Sequence, residues 1–142
     1  MKTQFLTLAA LTCAAIALAD PAENAYNLLE RADINRGLCA VIGGEAEFPI
    51  LLAKASELLV HYRDPDLARV NAARLAADEA NLGLQRLAAE QGGTSILPYA
   101  TNTVDIVVCR SETLNEEVMR VLRPKGIAFT EDGRSWIVQE KP

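Results

Sequence analysis

Two adjacent glycines, Gly43 and Gly44, follow an apolar run over residues 38–42 and precede an alanine- and leucine-rich stretch over 47–56. Strand, glycine turn and helix in that order leave backbone N–H groups free at a helix start, where a nucleotide-like ligand can be held. The same doublet also suits a tight turn that needs only positive φ. Further on, Asp64 opens Asp64-Pro65-Asp66 after a second apolar run over 58–62. A carboxylate there can accept two hydroxyl hydrogen bonds, or it can shape the turn and cap the next helix. Glu45 and Glu47 beside the glycines could form a carboxylate pair for proton transfer. Acids at a helix start are equally explained by the positive end of its dipole. His61 is the sole histidine and lies inside the second run, so it is expected to be packed and hydrogen-bonded. One histidine excludes a two-histidine metal site, and no cysteine spacing marks a metal or a CxxC pair, so no metal is expected.

The elements that must position these residues can be read from periodicity. Residues 22–34 place Tyr26, Leu29, Ala32 and Ile34 on one helical side, with Gly37 as the expected residue past the helix end. The run 38–42 has the continuous apolar character of a strand covered on both faces. Residues 47–56 suit a helix with Pro49 in its first turn. The run 58–62 is a second strand. Residues 67–82 form the clearest helix, with Asp66 as N-cap and Gly83 as its expected stop. Residues 84–90 fit either a helix or a strand, and the alternation of elements asks for a strand. A loop over 92–100 should pack down through Leu97-Pro98-Tyr99. A strand over 104–108, a helix over 112–122 capped by Ser111, and a turn at Arg123-Pro124-Lys125-Gly126 follow. Arg120 and Arg123 would decorate that last helix. Another strand opens at 127–130, and the end carries a turn at Asp132-Gly133 and an apolar piece over 136–138. The pattern is an α/β domain with a mostly parallel sheet of about five strands, helices on both faces and right-handed crossovers.

Composition narrows the function classes. The formal net charge of −5, with no Lys/Arg cluster, argues against a nucleic-acid surface. Lys2, the apolar run 5–18 and Ala17-Leu18-Ala19 before Asp20 have the layout of a cleaved secretory signal over residues 1–19. The chain is then expected to be exported, periplasmic or extracellular, with no stable membrane span after cleavage. Residues 20–130 form the expected domain. Residues 131–142 are expected to be a C-terminal tail or a linker to a further domain.

Several landmarks carry a family pattern in the right order. The glycine turn follows the first strand and Asp64 follows the second. Residues 96–99, ILPY, with 103–108, TVDIVV, are similar to a fourth-strand motif "LPF…fD.V", and residues 117–126, EVMRVLRPKG, to "E..RVLkPGG". From about residue 28 to 129 the chain resembles a class I S-adenosylmethionine-dependent methyltransferase of the type 11 kind. The resemblance implies a truncated Rossmann-like methyltransferase fold and S-adenosylmethionine as cofactor. It also implies cofactor binding by Gly43, Gly44, Asp64, Pro65 and the Ile96 region, with the methyl acceptor and catalytic residues unassigned. The chain departs from the family's D-x-G-x-G-x-G loop, with Val41 for the acid and Glu45 and Glu47 for the second and third glycines. Gly93 replaces the acid expected before "LPF", and the family's sixth and seventh strands are missing. In these features it looks like the degenerate methyltransferase domain that leads exported quinoprotein-like β-propeller chains. That resemblance implies the alternative function, a non-catalytic structural or interaction domain whose sheet edge a downstream or partner domain would cover. In the family's strand order Cys39 and Cys109 would be offset by about four residues, roughly 13 Å at about 3.3 Å per residue. A disulfide needs Cα atoms within about 7 Å, so both are expected to be free.

Overall fold

The computed structural model describes residues 21–111, 113–132 and 135–142. The expected leader lies outside the described residues, as does Gly133 of the last expected turn. The elements are α1 (Pro21–Ala32), β1 (Arg36–Ile42), α2 (Glu47–Ala55), β2 (Glu57–Asp64), α3 (Leu67–Glu79) and β3 (Leu87–Gln91). They continue with β4 (Val104–Cys109), α4 (Asn115–Val121), β5 (Leu122–Asp132) and β6 (Ser135–Glu140). One sheet runs β3-β2-β1-β4-β5-β6. Strands β1 to β5 are parallel to their neighbours, and β6 is antiparallel to β5. The sheet therefore has six strands where the sequence suggested about five. The sixth comes from the segment expected to be a tail or linker.

Alternation along the central strand explains its unbroken apolar reading. Cys39 and Val41 of β1 join a core with α1, α2 and α3. Ala40 and Ile42 join a second core on the other face with α4 and Leu97 of the β3–β4 connection. Both faces of β1 are buried, so no polar position is left to mark the pleat. Strand β3, LAAEQ, is buried only at Leu87, and its composition would serve a helix equally well. Pairing with β2 makes it a strand.

Helix ends follow positive-φ residues other than the glycines first expected. Asp66 caps α3 by accepting from the Ala68 N–H at 2.9 Å, as the sequence suggests. At the other end Asn81 takes φ 56°. The Leu82 N–H reaches the Ala77 carbonyl at 2.9 Å and the Asn81 N–H reaches that of Asp78 at 3.1 Å, which is a Schellman stop. Gly83 comes two residues later. Helix α1 stops at Asp33 (φ 51°), whose N–H bonds the Leu29 carbonyl. Gly37 lies instead inside β1, where an added Cβ would collide with the Asp105 carboxylate. That carboxylate accepts from the Leu38 N–H at 2.8 Å and pairs with Arg123. The expected turn at 123–126 is a bulge inside β5. The register jumps from Val104↔Leu122 to Ile106↔Ile127, and Lys125 carries the positive φ of 63°.

The last helix is tied down rather than decorated. Arg120 pairs with Glu117 and donates to the carbonyls of Leu97 (3.1 Å) and Tyr99 (2.9 Å), pinning the β3–β4 connection. Lys141 donates to the carbonyls of Met119 (2.6 Å) and Leu122 (2.8 Å), closing the C-terminal end of α4. Helix α4 begins after Leu114, which offers no side-chain cap, so Ser111 does not take that role. Trp136 of β6 stacks on Phe48 at 6.0 Å and meets Phe129 edge-on at 6.3 Å. The chain end is thereby part of the main core.

Candidate functional site

The carboxyl ends of β1, β2, β4 and β5 meet at one edge of the sheet. Strand order reverses between β2-β1 and β1-β4, the position where open α/β sheets leave a crevice. Gly43 and Gly44 sit there with φ of +74° and +84°. Backbone conformation and space both require glycine. An added Cβ would lie 2.7 Å from Cβ of Ser111 at Gly43, and 2.8 Å from Cδ of Arg110 at Gly44. The Gly43 N–H is already spent on the Arg63 carbonyl at 2.8 Å. Glu45 lies just before α2 and Glu47 opens it, and both are exposed.

Asp64 is at the same edge but is 2% exposed. Its Oδ1 accepts from the Asp66 N–H at 2.7 Å, so the carboxylate shapes its own turn. Its Oδ2 lies 3.6 Å from Arg69 and 3.3 Å from the Tyr62 hydroxyl. That hydroxyl has a nearer acceptor, the Gly44 carbonyl at 2.8 Å, and its single proton serves the nearer group. Tyr62 thus bridges the ends of β1 and β2. Burial, then the Asp64 carboxylate, pushes its phenol pKa up. Pro65 follows in the open. Ile96, on the β3–β4 connection, is 74% exposed. The fold therefore brings Gly43, Gly44, Asp64 and Pro65 to one edge and leaves the Ile96 side chain in solvent.

The space beside this edge was not visible in the sequence. A cleft of about 590 Å³ opens beyond β4 and β5, lined by the hydroxyls of Ser95, Ser111, Thr113 and Thr130 and by Leu114. Arg110 and Glu131 also line it, paired at 3.0 Å. The Arg110 guanidinium lies 5.0 Å over the Phe48 ring. Ser111 Oγ is buried without a hydrogen-bond partner among the described residues. Arg110 and Glu131 are remote in sequence and meet because Cys109 of β4 is level with Thr130 of β5. Single-residue motifs could not show that, but strand ends taken together could have.

Cys39 and Cys109 are free, as expected. Cys39 is level with Ile106 and Cys109 with Ile42, an offset of three residues. Burial, with the Asp105 charge, pushes the Cys39 thiol up to about 12. Burial pushes Cys109 up to about 11 against the opposing pull of the Thr113 hydroxyl. Neither is a thiolate nucleophile at neutral pH. His61 is packed, with Nδ1 hydrogen-bonded to the Tyr99 hydroxyl and Nε2 3.3 Å from Glu90. Desolvation lowers its pKa and outweighs the opposing pull of Glu90.

No family model matches the sequence, and no curated protein is similar to it in sequence. Solved structures are similar in fold. A putative S-adenosyl-L-methionine-dependent methyltransferase from Methanococcus maripaludis superposes with a TM-score of 0.70 at 26% identity, over 80% of this chain and 55% of that one. A SAM-dependent methyltransferase from Aquifex aeolicus gives 0.62 at 22% identity, over 83% and 69%. Geranyl diphosphate methyltransferase in complex with SAM gives 0.67 at 17% identity, over 77% and 48%. The fold is that of the class I S-adenosylmethionine-dependent methyltransferases. The chain spans about half the length of the first of these methyltransferases. What it holds of the methyltransferase fold is the sheet through β5 and an antiparallel strand beside it. Among the described residues, no helix is long and apolar enough to cross a membrane.

A cofactor with a nucleoside at one end and an amino acid at the other fits this edge unevenly. The cleft is large enough for part of such a ligand, and the Ser111 hydroxyl, buried without a partner among the described residues, calls for a polar group beside it. At the β2 end, Asp64 Oδ2 has acceptor capacity, but the side chain must turn outward to offer it.

Proposed function

We propose that the chain is an S-adenosylmethionine-binding, methyltransferase-like domain of an exported protein. The observation that supports this most directly is the pair of positive-φ glycines at the reversal of strand order, with Asp64 at the end of the adjacent strand, in a methyltransferase fold. The cofactor would supply an activated methyl group. Gly43 and Gly44 would allow it close to β1, Asp64 would accept from ribose hydroxyls, and Pro65 and the Ile96 segment would flank it. The chain's own contribution is then to hold and orient two reactants. Calorimetric titration with S-adenosylhomocysteine tests the reading. Micromolar binding that Asp64→Ala abolishes supports it, and absence of heat at millimolar ligand contradicts it.

A second reading has its own support. Asp64 is buried in its own turn, and Arg110 and Ser111 pack directly against the two glycines. Both features suit a domain that keeps the sheet for structure or interaction after losing methyl transfer. The leader-like residues 1–19 agree with it, since S-adenosylmethionine is a cytosolic metabolite. A downstream or partner domain beside β6 belongs to this second reading.

A further inference from the structure

Strand β6 is one outer edge of the sheet. Lys141, just beyond it, turns both backbone groups toward β5. Its N–H reaches the Gly126 carbonyl at 2.9 Å, and its carbonyl accepts from the Lys125 N–H at 2.8 Å. Bonding residues alternate along an antiparallel ladder. The register is unbroken from Ile127↔Glu140 to Asp132↔Ser135, so Gln139 and Ile137 also bond inward. Trp136, Val138 and Glu140 then point their N–H and C=O groups outward, where they meet no hydrogen-bond partner among the described residues. The middle of this strand is apolar and open, with Ile137 48% and Val138 38% exposed, and the two side chains lie on opposite faces. The Trp136 indole, against Phe48 and Phe129, anchors the strand to the core. At the opposite edge a side chain is in the way: Arg74 of α3 donates to the Ala89 carbonyl of β3 at 3.1 Å. An anchored apolar strand with outward backbone groups is a template for another strand.

We propose that β6 pairs with β6 of a second copy of this chain, antiparallel about a two-fold axis through Val138, so that the two sheets continue as one. The outward groups complement one another in that register. Trp136 faces Glu140 of the second copy, Val138 faces its own counterpart, and Glu140 faces Trp136, each pair exchanging two backbone hydrogen bonds. Val138 meets Val138 on one face of the joined sheet, and Ile137 reaches Ile137 diagonally on the other. Charge selects the same arrangement. Glu140 is the one charged residue within 136–140. Antiparallel pairing sets the two carboxylates at opposite ends of the seam, whereas parallel pairing would set them side by side. An interface of one strand pair is small, so the dimer is weak and forms toward the upper end of the micromolar range. In the sheet β4 and β5 separate β6 from β1, so the inference stands apart from cofactor binding. It names the partner that the second reading sets beside β6.

The test is analytical ultracentrifugation of the full chain from low micromolar to near-millimolar concentration, with amide exchange measured at both ends of that range. A monomer–dimer equilibrium is expected. The amides of Trp136, Val138 and Glu140 should gain protection at the higher concentration, while those of Ile137 and Gln139, already bonded to β5, should change little. Val138→Pro removes an outward N–H and leaves the ladder to β5 intact. It should weaken the dimer by roughly tenfold or more. Val138→Lys and Val138→Glu should each do the same alone, and an equimolar mixture of the two should restore the dimer, because the two-fold axis sets position 138 opposite itself. A chain that stays monomeric throughout, a dimer that Val138→Pro leaves unchanged, or a mixture no tighter than either variant alone overturns the proposal. So does equal gain of protection at all five amides. Any of these results would leave S-adenosylhomocysteine binding, measured on the same chain, to be judged on its own.

Discussion

Gly43 shows how far one residue can be argued from chemistry. Its φ of +74° and its contact with Ser111 allow no side chain. Gly43→Ala should lower stability by about 1–3 kcal/mol, read by urea unfolding, because the left-handed conformation and the collision add. His61 makes a pH prediction. Its folded pKa is depressed below the ordinary 6.5 by burial, so the unfolded chain binds the proton more readily. Stability is therefore fully present above about pH 6.5 and falls as pH drops through that value toward the folded pKa. Urea midpoints at about pH 7.5 and about pH 5.5 should differ, and His61→Gln should flatten the difference over that interval. The glycine doublet was legible in the sequence because two adjacent glycines after an apolar run mark a turn that side chains would obstruct. The Arg110–Glu131 pair was not, since Arg110 follows β4 while Glu131 is in β5, and the register of the two strands brings them together.

Elements divide by how evenly they are buried. Strands β1 and β4 were readable because both faces are covered, which leaves continuous apolar runs. Strand β3 was ambiguous because alanine and glutamate carry no strand preference, and the β2 edge decides it. The bulge in β5 looked like a free turn because proline and glycine there mark a departure from the ladder without showing that pairing resumes. Arg120 of the last helix looked like surface charge, but among its partners are backbone carbonyls that composition does not reveal. Arg120→Met should raise amide exchange across residues 97–103, where its guanidinium holds the connection, while leaving β1 protected. Unchanged exchange there would mean that Leu97 and Tyr99 pack well enough alone. Trp136→Ala should cost about 2 kcal/mol and selectively open β6, since the indole joins the last strand to Phe48 and Phe129.

At the scale of the whole molecule, the parallel sheet with helices on both faces followed from the alternation of strands and helices, and the motifs near its end carried the methyltransferase resemblance. The sixth strand did not follow, because 135–140 is short and only its antiparallel pairing with β5 gives it a place. The molecule has a methyltransferase-like sheet whose strand-end edge is lined by Asp64 turned inward and by Arg110 laid across a glycine. The proposed function turns on whether that edge holds the cofactor, and calorimetric titration with S-adenosylhomocysteine asks this of the molecule itself. One site with micromolar affinity, lost in Asp64→Ala, is the expected result. Absence of heat at millimolar ligand, from a chain that unfolds cooperatively, would contradict it.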